Sequence, residues 1–133
     1  LARSEKPHYN EMNVLSMHAL LGAYTTEGRE WVDELCEVLS GNVNFACDFI
    51  TRHFPGVQVA KPEGTYMLFL DCTDWCAAHD KTLEDVLHAG WDVGVAWQDG
   101  RMFRHPCAIR MNLALPRALV EEAFNRLSAY VFV

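Results

Sequence analysis

Between Trp31 and Phe54 the apolar residues Trp31, Val32, Leu35, Val38, Leu39, Val43, Phe45, Ala46, Phe49, Ile50 and Phe54 recur at spacings of mostly three and four. That period places them along one side of an α-helix. The run predicts about seven turns of amphipathic helix, well above the usual three or four. Ser40-Gly41-Asn42 lies inside it as a place for a kink. Phe54-Pro55-Gly56 ends it, because proline cannot continue the hydrogen-bond ladder and glycine tolerates the turn. A helix this long has an apolar side to bury, so the rest of the chain has to supply a packing surface.

Upstream, Val14, Met17, His18, Leu21 and Tyr24 predict a first helix over residues 13–24. Gly22 inside it costs about 1 kcal/mol of helix propensity relative to alanine. Thr25-Thr26-Glu27-Gly28 interrupts or bends the helix, and residues 1–12 read as a connector or tail ahead of a domain over residues 13–133. Downstream the pattern changes to strands. Val57-Gln58-Val59-Ala60 alternates, and Lys61-Pro62-Glu63-Gly64 is a turn before the β-rich Thr65-Tyr66-Met67-Leu68-Phe69-Leu70-Asp71. Thr82-Leu83-Glu84-Asp85 carries a helix-capping signature, with Gly90 as its stop. Trp91-Asp92-Val93-Gly94-Val95-Ala96-Trp97 predicts a third strand and Ala108-Ile109-Arg110-Met111-Asn112-Leu113-Ala114 a fourth. Pro116 opens a last helix through Leu119, Val120, Ala123, Leu127 and Tyr130. The order predicts an α+β fold: a small, largely antiparallel sheet with helices on one face and a long N-terminal helix.

At 133 residues, 50% apolar and 11% aromatic, the chain has the size and composition of one folded domain. It holds no apolar run long enough to span a bilayer. Lys and Arg number 11 against 18 Asp and Glu, for a formal net charge of -7, and no basic stripe stands out, which argues against a nucleic-acid partner. Leu1 is no initiator and no signal pattern follows it, so the chain is expected to be a fragment or a processed product of a cytoplasmic protein. Five cysteines, an odd number without framework spacing, read as reduced thiols. Cys72-x3-Cys76-x2-His79 raises a zinc site as a rival reading, but structural zinc wants four ligands in two close pairs. His105 and Cys107 would complete one only through a coincidence of folding.

Strand alternation puts Ala108, Arg110, Asn112 and Ala114 on one face and Ile109, Met111, Leu113 and Leu115 on the other. An arginine between small residues has room to grip a planar anion with two parallel hydrogen bonds. On pattern alone, an arginine solvated on the open face or paired with a local carboxylate is the commoner outcome.

Three stretches together resemble the C-terminal small domain of fold-type I pyridoxal-phosphate enzymes, the aspartate aminotransferase superfamily. They are Pro62-Glu63-Gly64-Thr65-Tyr66-Met67-Leu68-Phe69-Leu70-Asp71, then Gly94-Val95-Ala96 with Gly100 and Phe103, then Ile109-Arg110-Met111-Asn112-Leu113-Ala114 with Pro116-Arg117. With Ala23-Tyr24 and Gly28-x2-Trp31-x3-Leu35 upstream, the likeness is to the carbon–sulfur β-lyases of cystathionine β-lyase type. It covers nearly the whole chain from about Asn13 on. The resemblance implies an intact enzyme that uses pyridoxal phosphate on an amino-acid substrate, as an aminotransferase or a carbon–sulfur lyase, and acts as a homodimer. It implies that Arg110 binds the substrate α-carboxylate. Gly64 matches a turn glycine, and Tyr66 and Trp97 are aromatic candidates near a substrate side chain, with core packing as their alternative.

The lysines are Lys6, Lys61 and Lys81, and none matches the family's Schiff-base segment. A glycine- and serine-rich phosphate cup is also missing from the sequence. The large, cofactor-binding domain is therefore expected to be absent, with no cofactor bound by this chain and no activity from it alone. The competing expectation is a free-standing binding or interaction module on the same fold. A small domain separated from its large domain should expose apolar surface on the first helix, at Val14, Met17 and Leu21.

Overall fold

The computed structural model describes residues 13–133; the connector over residues 1–12, Lys6 included, lies outside the described residues. Two compact units divide the chain, one ending at Leu35 and the other running Cys36–Val133.

The first unit holds helix α1, Val14–Ala23, and the start of helix α2, Thr26–His53. Asn13 caps α1, its side-chain oxygen accepting from the Ser16 N–H at 2.8 Å. Thr25 fastens the corner that follows: its hydroxyl donates to the Gly22 carbonyl at 3.0 Å and accepts from the Gly28 N–H at 3.1 Å. A Cβ on Gly28 would stand 2.4 Å from the Ala23 carbonyl oxygen, so only glycine closes that corner. The expected break over residues 25–28 is thus a tight corner, and α2 begins inside it. No residue of α1 is buried, and Val14 and Leu21 are 67% and 68% exposed.

In the second unit α2 runs as unbroken helix through Ser40-Gly41-Asn42. Its Val43, Ala46 and Ile50 are buried, followed by Phe54. Strands β1 (Gln58–Val59), β2 (Met67–Asp71), β3 (Gln98–Asp99) and β4 (Ala108–Asn112) form one antiparallel sheet in the order β1-β2-β4-β3. Helices α3 (Thr73–His79), α4 (Leu83–Asp92) and α5 (Arg117–Tyr130) complete the fold. The α+β architecture is the expected one, with Leu68, Leu70, Ile109 and Met111 of the sheet joining Val86, Leu87, Val120, Phe124 and Leu127 of the helices in one core.

The third strand is corrected. Gly90 does not stop α4, which continues through Trp91 to Asp92, and only Gln98–Asp99 pairs with β4. The glycine is there for packing: a Cβ on it would lie 2.2 Å from the Trp97 ring. Trp97 enters the core instead of continuing a strand, its Nε1–H donating to the Leu87 carbonyl at 3.1 Å. The sequence reading also missed α3, a helix of 7 residues too short to show a period. Among the described residues no helix is long and apolar enough to cross a membrane.

Candidate functional site

The sheet's second face is open. Alternation along β2 and β4 leaves Phe69, Asp71 and Arg110 half-buried and Asn112 exposed, while their neighbours Leu68, Leu70, Ile109 and Met111 are buried. Arg110 stands on β4, paired with Phe69 of β2 on one side and Gln98 of β3 on the other. Its Nη1–H donates to Gln98 Oε1 at 2.9 Å. Its guanidinium carbon lies 4.8 Å from the centre of the Phe103 ring, which meets Phe69 edge-on at 5.6 Å and 88°.

The partners that surround Arg110 are thus neutral. Arg52, Arg101, Arg117 and Arg126 each have a carboxylate at ion-pair distance: Asp48, then Asp99 and Glu84, then Glu121, then Glu122. Among the described residues no such pair engages Arg110. The local carboxylate that pattern alone allowed is not there. One amide oxygen and one ring leave most of the five guanidinium donors for a planar anion from outside.

Beside this centre, Asp71 accepts from the Thr73 hydroxyl at 2.6 Å and the Thr73 N–H at 2.9 Å, with His105 Nε2 at 3.4 Å. Partial burial works against its charge, but the Thr73 hydrogen bonds and His105 win and hold the carboxyl below the usual range. At the other end of β2, Tyr66 is exposed and lines a cavity of about 790 Å³ with Cys36, Leu39, Lys61, Pro62 and Glu63. Of the two aromatic candidates, Trp97 is core and Tyr66 is not. No atom lies within 4 Å of a Cβ built on Gly64, so no close approach demands glycine there.

Sequence reasoning missed two residues beside Arg110 and a third that holds the chain after β4. Gln98 and Phe103 become neighbours only through strand pairing and the turn Gly100–Phe103, which no local spacing announces. Asn42, 1% exposed, donates to the carbonyls of Leu113 and Leu115 at 3.0 and 2.9 Å and so holds the chain leaving β4. Its signal was available: a polar residue beside Val43 on the buried side of a helix.

The zinc rival finds no site. His79 stacks on Trp75 at 4.3 Å, its Nδ1 at 2.8 Å from the Trp75 carbonyl, and no group of three metal-binding side chains forms among the described residues. The lysines among the described residues, Lys61 and Lys81, are both exposed.

No family model matches the chain. It is 33% identical over 129 residues to a protein of Mycobacterium tuberculosis provisionally named cystathionine beta-lyase, covering 86% of this chain and 31% of that one. A Mycobacterium leprae protein with the same provisional name is 30% identical over 126 residues, covering 85% and 31%. The fold superposes on the crystal structure of the pyridoxal-phosphate-bound C-S lyase of Staphylococcus hominis with a TM-score of 0.77 and 25% identity, over 92% of this chain and 32% of that one. In sequence and in fold the chain is similar to one part of these enzymes, consistent with a small domain of the fold-type I pyridoxal-phosphate type. It spans under a third of the length of the relatives it matches. Within this small domain, Arg110 occupies the middle of the open face and the helices cover the other.

Proposed function

We propose that this chain is the substrate-carboxylate-binding part of a pyridoxal-phosphate-dependent enzyme that acts on amino acids, either a carbon–sulfur lyase or an aminotransferase. One observation carries the reading: Arg110 is half-buried in a neutral frame and lacks an ion-pair partner among the described residues. The cofactor, held by a large domain, would supply the electron sink. What this chain adds is orientation. Arg110 receives the α-carboxylate on donors that Gln98 does not use, and the Phe103 ring limits the swing of the guanidinium. Fixing the substrate before reaction removes rotational freedom that the barrier would otherwise include.

The large domain is the chain's principal partner in this reading, with the intact protein acting as a cytoplasmic homodimer. The exposed apolar residues of α1, among them Val14, Met17 and Leu21, form the surface expected to meet the large domain.

The test is kinetic, on the intact enzyme. Arg110→Ala is expected to raise KM for the amino acid by roughly ten- to hundred-fold, the size of one or two lost charged hydrogen bonds. Amines without a carboxylate should be affected little. Equal loss on both substrates would give Arg110 a structural role and sink the reading. The isolated chain mixed with cofactor and amino acid should release neither keto acid nor ammonia; turnover by it alone would contradict the division of labour.

A further inference from the structure

The amide beside Arg110 has one end to spare. Gln98 of β3 stands directly opposite Arg110 in the antiparallel register, so the two side chains leave the sheet on the same face. A guanidinium carries donors alone, so only the Gln98 carbonyl oxygen can meet Arg110 Nη1–H at 2.9 Å. That contact settles which way the amide is turned and leaves both Nε2 hydrogens for another acceptor. Among the described residues they have none, and Gln98 is exposed. The Gln58 amide differs, since its Nε2–H donates to Asp74 at 2.8 Å. The carboxylate next to Gln98 in the chain is engaged elsewhere: Asp99 accepts from the Arg101 N–H and the Arg101 Nε–H, each at 2.8 Å. Arg101 also takes Glu84, at 2.8 Å. The Phe103 ring lies over Arg110 and leaves the in-plane edges of the guanidinium beside the Gln98 amide open.

We propose that Gln98 is a second ligand of the substrate α-carboxylate, its Oε1 holding Arg110 while its Nε2–H donates to one carboxylate oxygen. Arg110 donates to the other, so the anion is gripped from two strands, β3 and β4. The residue type matters for charge as well as for hydrogen bonds. An amide accepts from the guanidinium without cancelling its charge, and it adds a donor that points the same way. A glutamate at the same place would satisfy Arg110 from within the chain and repel the incoming anion. Gln98 thereby sets what the site accepts: one carboxylate, recognised by both of its oxygens, and not a carboxamide or an amine without an acid group. This inference rests on the carboxylate-binding role proposed for Arg110.

The test compares Gln98→Met, Gln98→Glu and Arg110→Ala in the intact enzyme. Gln98→Met keeps the length and neutrality but has no amide, and it is expected to raise KM for the amino acid about three- to tenfold, the size of one hydrogen bond to a charged group. Gln98→Glu keeps an acceptor for Arg110 but loses the donor and adds a charge, and it should raise KM about tenfold beyond that. In both variants kcat should stay within about threefold, and amines without a carboxylate should be affected little. A glutamine that only holds Arg110 through its oxygen would be replaced by glutamate without loss, so an unchanged KM in Gln98→Glu overturns the proposal. An unchanged KM in Gln98→Met overturns it too. Where Arg110→Ala itself leaves KM unchanged, the carboxylate reading fails and not the Gln98 assignment alone. A second measurement needs no turnover: sodium acetate is titrated into the nitrogen-15-labelled whole chain at constant ionic strength. The Gln98 side-chain amide signal is expected to shift together with the Arg110 Nε–H signal. A shift at Arg110 alone overturns the role of Gln98, and no shift at either contradicts the carboxylate site itself.

Discussion

The two faces of the sheet are built from alternate residues of the same strands and differ in almost every physical respect. On β2 and β4 the core face carries Leu68, Leu70, Ile109 and Met111, all buried against helices. The open face carries Phe69, Asp71 and Arg110, joined by Gln98 of β3. The first face removes apolar area from water and so supplies most of the stability. The second keeps a cation without an ion-pair partner among the described residues, which contributes little to stability and leaves donors free. One strand therefore serves both purposes, and substitutions one residue apart should separate them.

The largest effect is expected on the core face. Leu68→Ala should destabilise the protein by about 2–5 kcal/mol, through lost transfer energy plus a cavity, read as a lower denaturation midpoint. A change under 1 kcal/mol would mean that the sheet and helices are loosely packed. Next comes the tie between α2 and the end of β4. Asn42→Ala leaves the Leu113 and Leu115 carbonyls without that partner and should cost about 1–3 kcal/mol. Hydrogen exchange should then quicken at residues 113–115 before the rest of the sheet; uniform quickening would deny the local role.

How far the fold could be read from the sequence follows the same division. The core face was legible, since α2, β2, β4 and α5 bury a regular stripe, and period alone finds such elements. Residues 91–97 misled because Trp91, Val93, Val95 and Trp97 alternate like a strand, although Gly90 makes room for Trp97 to turn into the core. The open face was legible only at Arg110. Gln98 and Phe103 reach it through pairing and a turn far along the chain, which no local pattern encodes.

A smaller effect is expected at Asp71 on the open face. Its carboxyl is held below the usual range in the folded chain, so it contributes stability that is present above the unfolded value, about pH 4, and lost as pH falls through the folded one. Asp71→Asn should therefore flatten the acid limb of a stability–pH curve below about pH 4, with little change at neutral pH. An unchanged acid limb would show that the Thr73 and His105 contacts do not persist in solution.

The smallest expected effect on stability belongs to the residue with the largest expected effect on function. Measuring the denaturation midpoint and kcat/KM on one preparation of the intact Arg110→Ala enzyme tests the division directly. The account predicts a stability change within about 1 kcal/mol, the worth of a partly exposed cation–π contact. It predicts a fall in kcat/KM of about tenfold or more for the amino acid. Stability and kcat/KM falling together in proportion, or kcat/KM unchanged, would contradict it.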